Sequence, residues 1–291
     1  MPSGNSPAAP KIAVIIPAHD EQAFLGRCLE SLTQQTLKPQ KLLIVDDNSS
    51  DLTTSIAQHF AAEHSYISLL RVRSHEHHLP GSKVVSAFLK GLESLDEDWD
   101  ILCKFDADLL FPPDYLQQIA VHFQSDPTVG MAGGFCYIRQ GDQWKLESLT
   151  GPDHIRGALK AYRKQCYRDI GGLRPSMGWD TVDELLAQYR GWKVHTDPAL
   201  QVKHLRPTGE TYGRASKLKQ GEAFYKMRYG LLITLIASLK LAWKKGKPGL
   251  IFDYFRGYLG ARAARMPFIV NEAEGAFIRK LRYKKMLGKL F

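Results

Sequence analysis

Cysteine is scarce in this sequence, and its few copies are far apart. The 291 residues include four cysteines, and no two of them form a C-x-x-C pair. Such scattered thiols are typical neither of a disulfide framework nor of a cysteine-rich zinc site. We therefore expect a protein of the reducing cytoplasm.

A hydrophobic run long enough to cross a bilayer is also missing. The apolar stretch at residues 231–243 has thirteen residues, whereas a transmembrane helix needs roughly twenty. The first ten residues have neither the basic start nor the apolar stretch of a secretory signal. We expect residues 1–9 to form a flexible tail.

The glycine-rich turn of dinucleotide-binding enzymes does not follow the first predicted strand. That strand leads into Pro17-Ala18-His19-Asp20, where a dinucleotide-binding protein would have G-x-G-x-x-G. A dinucleotide-dependent oxidoreductase is therefore the less favoured alternative for the function of this chain.

Positive charge is present in excess, and it is concentrated near the C-terminal end. The net charge is +9, and residues 244–291 hold twelve Lys and Arg against three acids. Basic and aromatic residues alternate there, as in helices that lie on an anionic membrane surface. An equal alternative is that the apolar positions pack on the rest of the chain. No recognisable nucleic-acid-binding module accompanies the charge, so we expect no nucleic-acid partner.

Short β-branched runs alternate with helical patterns from residue 11 onward. This alternation predicts βαβ units, hence an α/β domain with a mostly parallel sheet and right-handed crossovers. We predict strands at residues 12–16, 42–45, 67–72, 101–105 and 129–132. Farther along the chain we predict helices over residues 154–166 and 181–189, followed by strand-like segments up to residue 204.

Carboxylates follow two of the predicted strands. Asp46 and Asp47 come directly after the second strand, and Asp106 and Asp108 follow the strand at residues 101–105. Ligands of open parallel sheets bind beyond the carboxyl ends of the strands. Mg²⁺ and Mn²⁺ prefer hard oxygen ligands and share them with substrate phosphates, so the D-x-D segment predicts a metal site. The competing interpretations are helix capping for the first pair and a solvated turn for the second.

Three further places hold candidate functional residues. Asp180 or Asp183 could take a proton from an acceptor hydroxyl, although acids at a helix N-terminus also favour the helix dipole. Lys83, at the start of a predicted helix, could meet a nucleotide phosphate or be a solvated lysine. His204 and Arg206 could contact a metal or a phosphate, although a single histidine is more often structural.

In order and spacing, these segments resemble glycosyltransferase family 2, whose members share the GT-A fold, over about residues 10–205. Residues 17–21 are similar to the family's P-x-x-N-E loop, residues 44–51 to its V-D-D-G-S-x-D segment, and residues 106–108 match its D-x-D. The residues that we assign to nucleotide binding, mainly on this resemblance, are Pro17, Ala18, Asp20, Glu21, Asp46, Asp47, Lys83 and Asp106.

The sequence departs from the family pattern at a few positions. Asp20 stands where the entry loop usually has Asn, and Asn48 replaces a glycine. Residues 81–91 resemble the family's G-x-x-x-A-x-N-x-G helix, but Phe88 and Leu89 fill the place of the Asn. This departure puts polar contacts from that turn to the nucleotide in doubt, while Lys83 stays a candidate.

The resemblance implies an inverting hexosyltransferase-like enzyme that works by a single displacement. A base would act on one face of the sugar, and a metal-bound diphosphate would leave from the other. The implied ion is Mg²⁺ or Mn²⁺, with Asp106, Asp108 and His204 as its ligands. For the base, the usual distance from the glycine after the helix leads to Asp180, whereas the local acidic pair contains Asp183, so both stay candidates.

The predicted organisation is a tail at residues 1–9, a GT-A catalytic domain at 10–225 and a helical, amphipathic, basic region at 226–291. The implied function is sugar transfer from a nucleotide-diphosphate donor to a glycan, lipid-linked or other hydroxyl acceptor in cell-envelope polysaccharide synthesis. Residues 231–291 would contact the inner face of the cytoplasmic membrane. The alternative is a non-catalytic nucleotide-sugar-binding module, because fold does not fix function.

Overall fold

The computed structural model describes residues 9–73, 82–147, 151–206 and 215–287. Gly81, the first residue of the predicted glycine-containing helix segment, lies outside this description. The strands are β1 Ile12–Ala18, β2 Lys41–Asp47, β3 Ile67–Val72, β4 Ile101–Phe105, β5 Leu109–Leu110, β6 Val129–Gln140, β7 Gln143–Leu146, β8 Leu159–Arg163 and β9 Lys193–His204. The helices are α1 Leu25–Thr33, α2 Thr53–Glu63, α3 Ser82–Ser94, α4 Tyr115–Ser125, α5 Lys164–Asp169, α6 Trp179–Tyr189, α7 Ala215–Lys226, α8 Gly230–Lys244, α9 Leu250–Ala263 and α10 Glu272–Leu287.

The strands form a single sheet in the order β3-β2-β1-β4-β8-β6-β9-β5, with β7 paired to β6. The first four of these strands are parallel to one another. Beyond β4 the sheet continues with β8, which is antiparallel to both β4 and β6, and then with the parallel pair β6 and β9. The predicted α/β fold with a mostly parallel sheet flanked by helices is confirmed.

The apolar patterns explain why the first elements form. Every residue of β1 is buried, as expected for a parallel strand that is covered on both faces. In α1 the buried residues recur at steps of three and four, which places them on one helix face. They are Leu25, Cys28, Leu29 and Leu32.

The predicted helix over residues 154–166 is wrong. The chain there forms β8 and then the short helix α5. Leu159, Lys160, Ala161 and Tyr162 are all buried, because β8 lies between β4 and β6 and is covered on both faces. A strand buried on both faces has no polar alternation, so its periodicity does not distinguish it from a buried helix.

The chain divides into two compact units. The sheet unit comprises residues 1–75, 86–171 and 192–206, and the helical unit comprises residues 76–85, 172–191 and 207–291. The predicted boundary after residue 225 lies in the last turn of α7, and the helical unit has residues on both sides of it. A catalytic domain at 10–225 and a separate region at 226–291 therefore stay a prediction.

Within the helical unit, α7 and α9 approach each other at two glycines. A Cβ atom on Gly221 would lie 1.9 Å from the carbonyl oxygen of Tyr254, and a Cβ on Gly257 would lie 2.0 Å from that of Leu218. Real Cβ atoms do not come this close to backbone. The crossing of the two helices therefore requires glycine at both positions.

All four cysteines are buried thiols. Burial raises the pKa of the Cys28 and Cys103 thiols, and it raises the pKa of Cys136 to about 12. Thiolates, the reactive form, are therefore rare at neutral pH.

Candidate active site

The predicted acidic residues of the sheet unit lie at or just beyond the carboxyl ends of β1, β2 and β4. These strands are parallel neighbours, so their carboxyl ends meet at one edge of the sheet. Glu21 follows β1, Asp46 and Asp47 end β2, and Asp106 and Asp108 follow β4. The sheet thus brings these carboxylates to one edge.

Asp108 is the buried centre of this group. It is 4% exposed, and its Oδ1 atom lies 3.4 Å from Nε2 of His204 while Oδ2 lies 3.3 Å from Nη2 of Arg206. The pairing of β5 with β9 places Leu109 opposite His204, which fixes the end of β9 beside Asp108. Among the described residues, the buried Oδ1 atom has no hydrogen-bond partner. An oxygen of this kind is suited to a ligand that the protein itself does not supply.

His204 lies between two carboxylates. Its Nδ1 atom is 3.2 Å from Oε2 of Glu147, on the opposite side of the ring from Asp108. Burial lowers the pKa of His204, but the contacts to Asp108 and Glu147 outweigh burial and raise this pKa to about 9. In the absence of another cation, the imidazolium form of His204 therefore balances part of the acidic charge.

Arg206 links Asp108 to the loop after β1. Its guanidinium group forms an ion pair with Glu21 and lies 5.5 Å from the ring centroid of Phe24. Burial raises the pKa of Glu21 more than Arg206 lowers it. The Oε2 atom of Glu21 is buried and makes no hydrogen bond within the described part of the chain. The loop after β1 therefore supplies a second buried oxygen at this edge.

Asp106 is more accessible than Asp108. Its side chain is 35% exposed and forms an ion pair with Lys104, which is 1% exposed and also donates a 3.0 Å hydrogen bond to the carbonyl of Gly157. The buried ammonium group fixes one carboxylate oxygen of Asp106. The exposure of the side chain leaves room for a ligand at the other.

The carboxylate of Asp46 organises the turn after β2. Asp46 is fully buried, accepts a 2.9 Å hydrogen bond from the backbone N–H of Ser49 and also accepts one from the hydroxyl of Thr54. Burial raises its pKa, but these hydrogen bonds outweigh burial and lower it. Asp47 is 7% exposed. Nucleotide binding by Asp46 and Asp47 stays a prediction. The alternative of helix capping is not seen, because the N-cap residue of α2 is Leu52 and α2 has no side-chain cap hydrogen bond.

The loop after β1 is held against this turn. Asp20 has a φ of 53°, in the left-handed region that Asp and Asn tolerate better than most residues. Its Oδ1 atom accepts a 2.7 Å hydrogen bond from the N–H of Ser50, and its own N–H donates to Oγ of Ser49 at 3.0 Å. Pro17 and Ala18 are buried residues of β1. The departure from Asn at position 20 is therefore compatible with the local backbone.

The remaining predicted site residues belong to the helical unit. Lys83 is half-buried in the first turn of α3. Asp180 is half-buried in the first turn of α6, after Gly178 with a φ of 77°. Asp183 is 2% exposed, and its Oδ1 atom accepts a 2.7 Å hydrogen bond from the N–H of Glu184. The role of Lys83 as a phosphate contact and the role of Asp180 or Asp183 as the base stay predictions.

Two residues at the site were not predicted from the sequence. Glu147 is 7% exposed and contacts both His204 and the guanidinium group of Arg156, whose Nη1 atom lies 3.3 Å from Glu147 Oε2. Lys104 was also missed, although a lone charge within the apolar strand β4 was a signal for it. Glu147 follows a short polar hairpin strand, and no pattern around it indicated a buried residue.

The residues at this edge fit a divalent cation. Buried carboxylate oxygens of Asp108 and Glu21 have no hydrogen-bond partner among the described residues, and such oxygens with an imidazole nitrogen suit Mg²⁺ or Mn²⁺. Among the described residues, the grouping whose ligand atoms all lie within 4.8 Å of one another is a different one, which consists of Cys136, Glu147 and His204. His204 belongs to both groups.

Comparison of the sequence with known proteins finds glycosyltransferases. Residues 13–175, more than half of the chain, match the profile described as Glycosyl transferase family 2. "Probable glycosyltransferase YdaM" of Bacillus subtilis (strain 168) is 24% identical over 301 residues, which cover 92% of this chain and 68% of that protein. "PGL/p-HBAD biosynthesis glycosyltransferase" of Mycobacterium bovis (strain BCG / Pasteur 1173P2) is 29% identical over 253 residues, which cover 82% of this chain and 93% of that protein.

A solved structure has the same fold. The mannosyltransferase PcManGT from Pyrobaculum calidifontis, in complex with GDP-Man and Mn²⁺, aligns with a TM-score of 0.57 at 18% identity. The alignment covers 95% of this chain and 81% of that one. At this identity the likeness concerns the fold.

Proposed function

Because this chain belongs to glycosyl transferase family 2 and is a glycosyltransferase, we propose that it is a metal-dependent, inverting enzyme with a nucleotide-diphosphate sugar as donor. The observation that carries this proposal is the buried carboxylate of Asp108, which lies between His204 and Arg206 and whose Oδ1 atom makes no hydrogen bond among the described residues. The GDP-Man and Mn²⁺ bound to PcManGT support the same class of ligands.

Asp106, Asp108 and His204 would hold the ion. When bound, Mg²⁺ or Mn²⁺ offsets the negative charge that develops on the departing diphosphate. Arg206 and Lys104 keep the carboxylates in place and add positive charge at the same edge. The protein's own contribution is thus a pre-formed set of charges that costs little reorganisation during the reaction.

The displacement requires a base for the acceptor. Asp180 or Asp183 would take the proton from the acceptor hydroxyl, whose oxygen then forms a bond to the anomeric carbon. The bond from that carbon to the diphosphate oxygen breaks, and the nucleoside diphosphate leaves with the electron pair. One displacement inverts the anomeric centre, and no enzyme nucleophile takes part.

The acceptor that we propose is a glycan or lipid-linked hydroxyl in cell-envelope polysaccharide synthesis. The mycobacterial relative is named for PGL/p-HBAD biosynthesis, which supports an acceptor of this general kind. The other support is an exposed apolar face on α8. The sequence did not show which apolar residues of this region are exposed. It favoured membrane contact and packing of these residues on the rest of the chain equally.

The α8 face consists of two neighbouring rows of side chains that follow an i, i+4 spacing. One row is Leu231, Leu235, Leu239 and Trp243, and the other is Leu232, Ile236, Lys240 and Lys244. The apolar members are 37% to 88% exposed. Apolar rows that end in a tryptophan and lysines fit an anionic membrane surface. No helix among the described residues is long and apolar enough to cross a bilayer, so we propose peripheral contact at the inner face of the cytoplasmic membrane.

Substituting the two metal-site aspartates tests the enzymatic proposal. Asp106→Asn and Asp108→Asn each remove a negative charge and an ion ligand, and we expect sugar transfer to fall by at least about 100-fold. Metal-dependent nucleotide binding should be lost as well, while the circular dichroism spectrum stays that of the wild type. A thermal-shift panel of UDP-, GDP- and dTDP-sugars with and without Mn²⁺ would first identify the donor.

The matched control is Asp142→Asn, which changes a fully exposed aspartate in the turn between β6 and β7. This variant should transfer sugar at the wild-type rate. Full activity in both Asp106→Asn and Asp108→Asn would reject the metal-dependent mechanism. A different outcome would favour a binding module. In that case the wild type binds the nucleotide and both variants lose this binding, but the wild type itself transfers no sugar.

A further inference from the structure

Glu147 lies directly behind His204 at the candidate metal site. Its Oε2 atom is 3.2 Å from Nδ1 of His204 and 3.3 Å from Nη1 of Arg156, and the side chain is 3% exposed. Its backbone N–H donates a 2.9 Å hydrogen bond to the carbonyl of Cys136 on β6. The carboxylate is therefore fixed both through the backbone and through the guanidinium group.

The two nitrogens of His204 face different partners. Nδ1 faces Glu147, whereas Nε2 faces Oδ1 of Asp108 at 3.4 Å. In a neutral imidazole one nitrogen carries the proton and the other offers a lone pair. When Nδ1–H is donated to Glu147, the lone pair is on Nε2 and points toward the carboxylate that would hold the ion.

We propose that Glu147 is a positioning residue that selects the Nδ1–H tautomer of His204 and directs Nε2 at the divalent cation. The inference rests on the proposed metal-dependent function. Metal-bound histidines usually donate their other N–H to a carboxylate or carbonyl, which fixes the orientation of the ring. Glu147 has the position and the contacts for that task.

Direct ligation by Cys136 and Glu147 is the competing arrangement, because their ligand atoms and those of His204 lie within 4.8 Å of one another. The guanidinium group of Arg156 already contacts Glu147 Oε2, and its positive charge opposes a cation bound at that oxygen. Mg²⁺ and Mn²⁺ also prefer oxygen and nitrogen to sulfur. Both observations favour Glu147 as a partner of the imidazole.

The test measures the affinity of the full-length chain for Mn²⁺ alone, from the electron paramagnetic resonance signal of the free ion. Glu147→Ala should weaken Mn²⁺ binding by about 10-fold to 100-fold. Glu147→Gln retains a carbonyl oxygen that can accept Nδ1–H, and its affinity should stay closer to that of the wild type. In a His204→Ala background, Glu147→Ala should cause no further loss, because Glu147 acts through His204.

Two variants serve as controls. Cys136→Ser and Asp142→Asn should both bind Mn²⁺ like the wild type. A loss in Cys136→Ser as large as that in Glu147→Ala would overturn the inference in favour of direct ligation. Wild-type affinity in Glu147→Ala, or an undiminished effect of this substitution in the His204→Ala background, would overturn it as well.

A second readout needs no variant. With diamagnetic Mg²⁺ bound, the ¹⁵N chemical shifts of the His204 ring should show a protonated Nδ1, and a protonated Nε2 would refute the inference. Failure of the proposed function has a different signature. If the wild type binds no Mn²⁺, or Asp108→Asn binds it equally well, the metal role itself fails. If Asp108→Asn weakens Mn²⁺ binding as expected and Glu147→Ala does not, only the role of Glu147 is overturned.

Discussion

At the scale of single residues, the acids of the candidate site are matched by bases. Asp106 pairs with Lys104, and Asp108 contacts both His204 and Arg206. Such close pairs reduce the cost of burying carboxylates. A divalent cation at Asp108 would therefore replace part of the positive charge that His204 and Arg206 supply.

The identity of the base is a prediction at this scale. Asp180 is half-buried, whereas Asp183 is 2% exposed and accepts a hydrogen bond from the N–H of Glu184. An acceptor hydroxyl reaches an accessible carboxylate more readily, so we expect Asp180→Asn to lower kcat by about 100-fold to 10,000-fold. Donor binding should be unchanged in that variant.

Asp183→Asn is the companion variant for the base. It should retain most of the turnover and lower the melting temperature, because its carboxylate is buried and hydrogen-bonded within α6. The assignment would be reversed if Asp183→Asn lost turnover at an unchanged melting temperature while Asp180→Asn stayed active.

A pH dependence of stability follows from Glu274, at the start of α10. Its carboxylate accepts two hydrogen bonds from Arg174, at 3.0 and 3.1 Å, and one from the N–H of Asn271. Burial raises the pKa of Glu274, but these contacts outweigh burial and lower it below its usual value of 4.5. The stability gained from ionised Glu274 is therefore present above pH 4.5 and is lost as the pH falls through the lowered pKa.

Denaturant unfolding at a series of pH values checks this expectation. The free energy of unfolding of the wild type should fall below pH 4.5 more steeply than that of Glu274→Gln. Glu272→Gln, which changes a 90% exposed neighbour in the same turn, should follow the wild type. Parallel curves for the wild type and Glu274→Gln would contradict the role of the ion pair.

The sequence indicated some candidate site residues and missed others, for physical reasons. Asp106, Asp108 and His204 adjoin strand ends, and strand ends can be located from apolar runs. Asp108 and His204 contact each other in the structure, and the role of the three residues as ion ligands stays a prediction. Glu147 reaches the site only through pairing of β6 with β7, and the contact between residues 147 and 204 has no local signal in the sequence.

At the scale of helices and strands, the parallel half of the sheet was predictable and β8 was not. Strands β1 to β4 are separated from one another by helices α1 to α3, so each apolar strand segment is bounded by a segment of different pattern. In β8 a lysine, Lys160, is fully buried beside Leu159, which local patterns treat as a polar position. The partners that bury β8 come from β4 and β6, and local periodicity contains no information on them.

The crossing of α7 and α9 gives a prediction about stability. Gly257→Ala would place a Cβ atom 2.0 Å from the backbone oxygen of Leu218, so the helices must move apart. We expect the free energy of unfolding to fall by about 1–3 kcal/mol, the usual cost of overpacking. Urea or thermal denaturation followed by circular dichroism measures the change.

The same helix contains a matched control. Gly260 lies in α9, and apart from the backbone of its own helix and its chain neighbours, no atom of the described residues would lie within 4 Å of a Cβ atom there. Gly260→Ala should therefore stabilise the protein by about 0.5–1 kcal/mol, because alanine favours helix more than glycine does. Equal effects of the two substitutions would mean that α7 and α9 do not pack closely at Gly257.

At the scale of the whole molecule, the two compact units were harder to predict than the sheet. Residues 172–191 belong with the C-terminal helices. Arg174 bonds to Glu274, and the rings of Tyr189 and Phe277 lie 5.4 Å apart. These contacts join segments about a hundred residues apart in the chain, which composition and periodicity do not reveal.

Membrane association is the prediction that concerns the whole chain. We expect the protein to sediment with vesicles that contain phosphatidylglycerol and not with pure phosphatidylcholine vesicles, and salt should weaken the binding. The double variant Leu235→Glu/Leu239→Glu puts negative charge on the α8 face and should abolish sedimentation. Leu52→Glu, the same substitution at a 63% exposed leucine of the sheet unit, should bind like the wild type.

Two results would contradict this membrane proposal. One is sedimentation of the double variant to the wild-type extent. The other is a wild-type protein that ignores lipid composition and instead forms dimers that the double variant does not form, because the α8 face would then bind a second copy.

The concealed thiols make the wild-type chain a convenient background for spectroscopic probes. Maleimides attack thiolates, and buried Cys28, Cys103 and Cys136 have pKa values that keep them protonated. A cysteine introduced on the surface, for instance at Asp142, would be the preferred target for a dye or spin label. Distances within each compact unit could then be followed without first replacing the native cysteines.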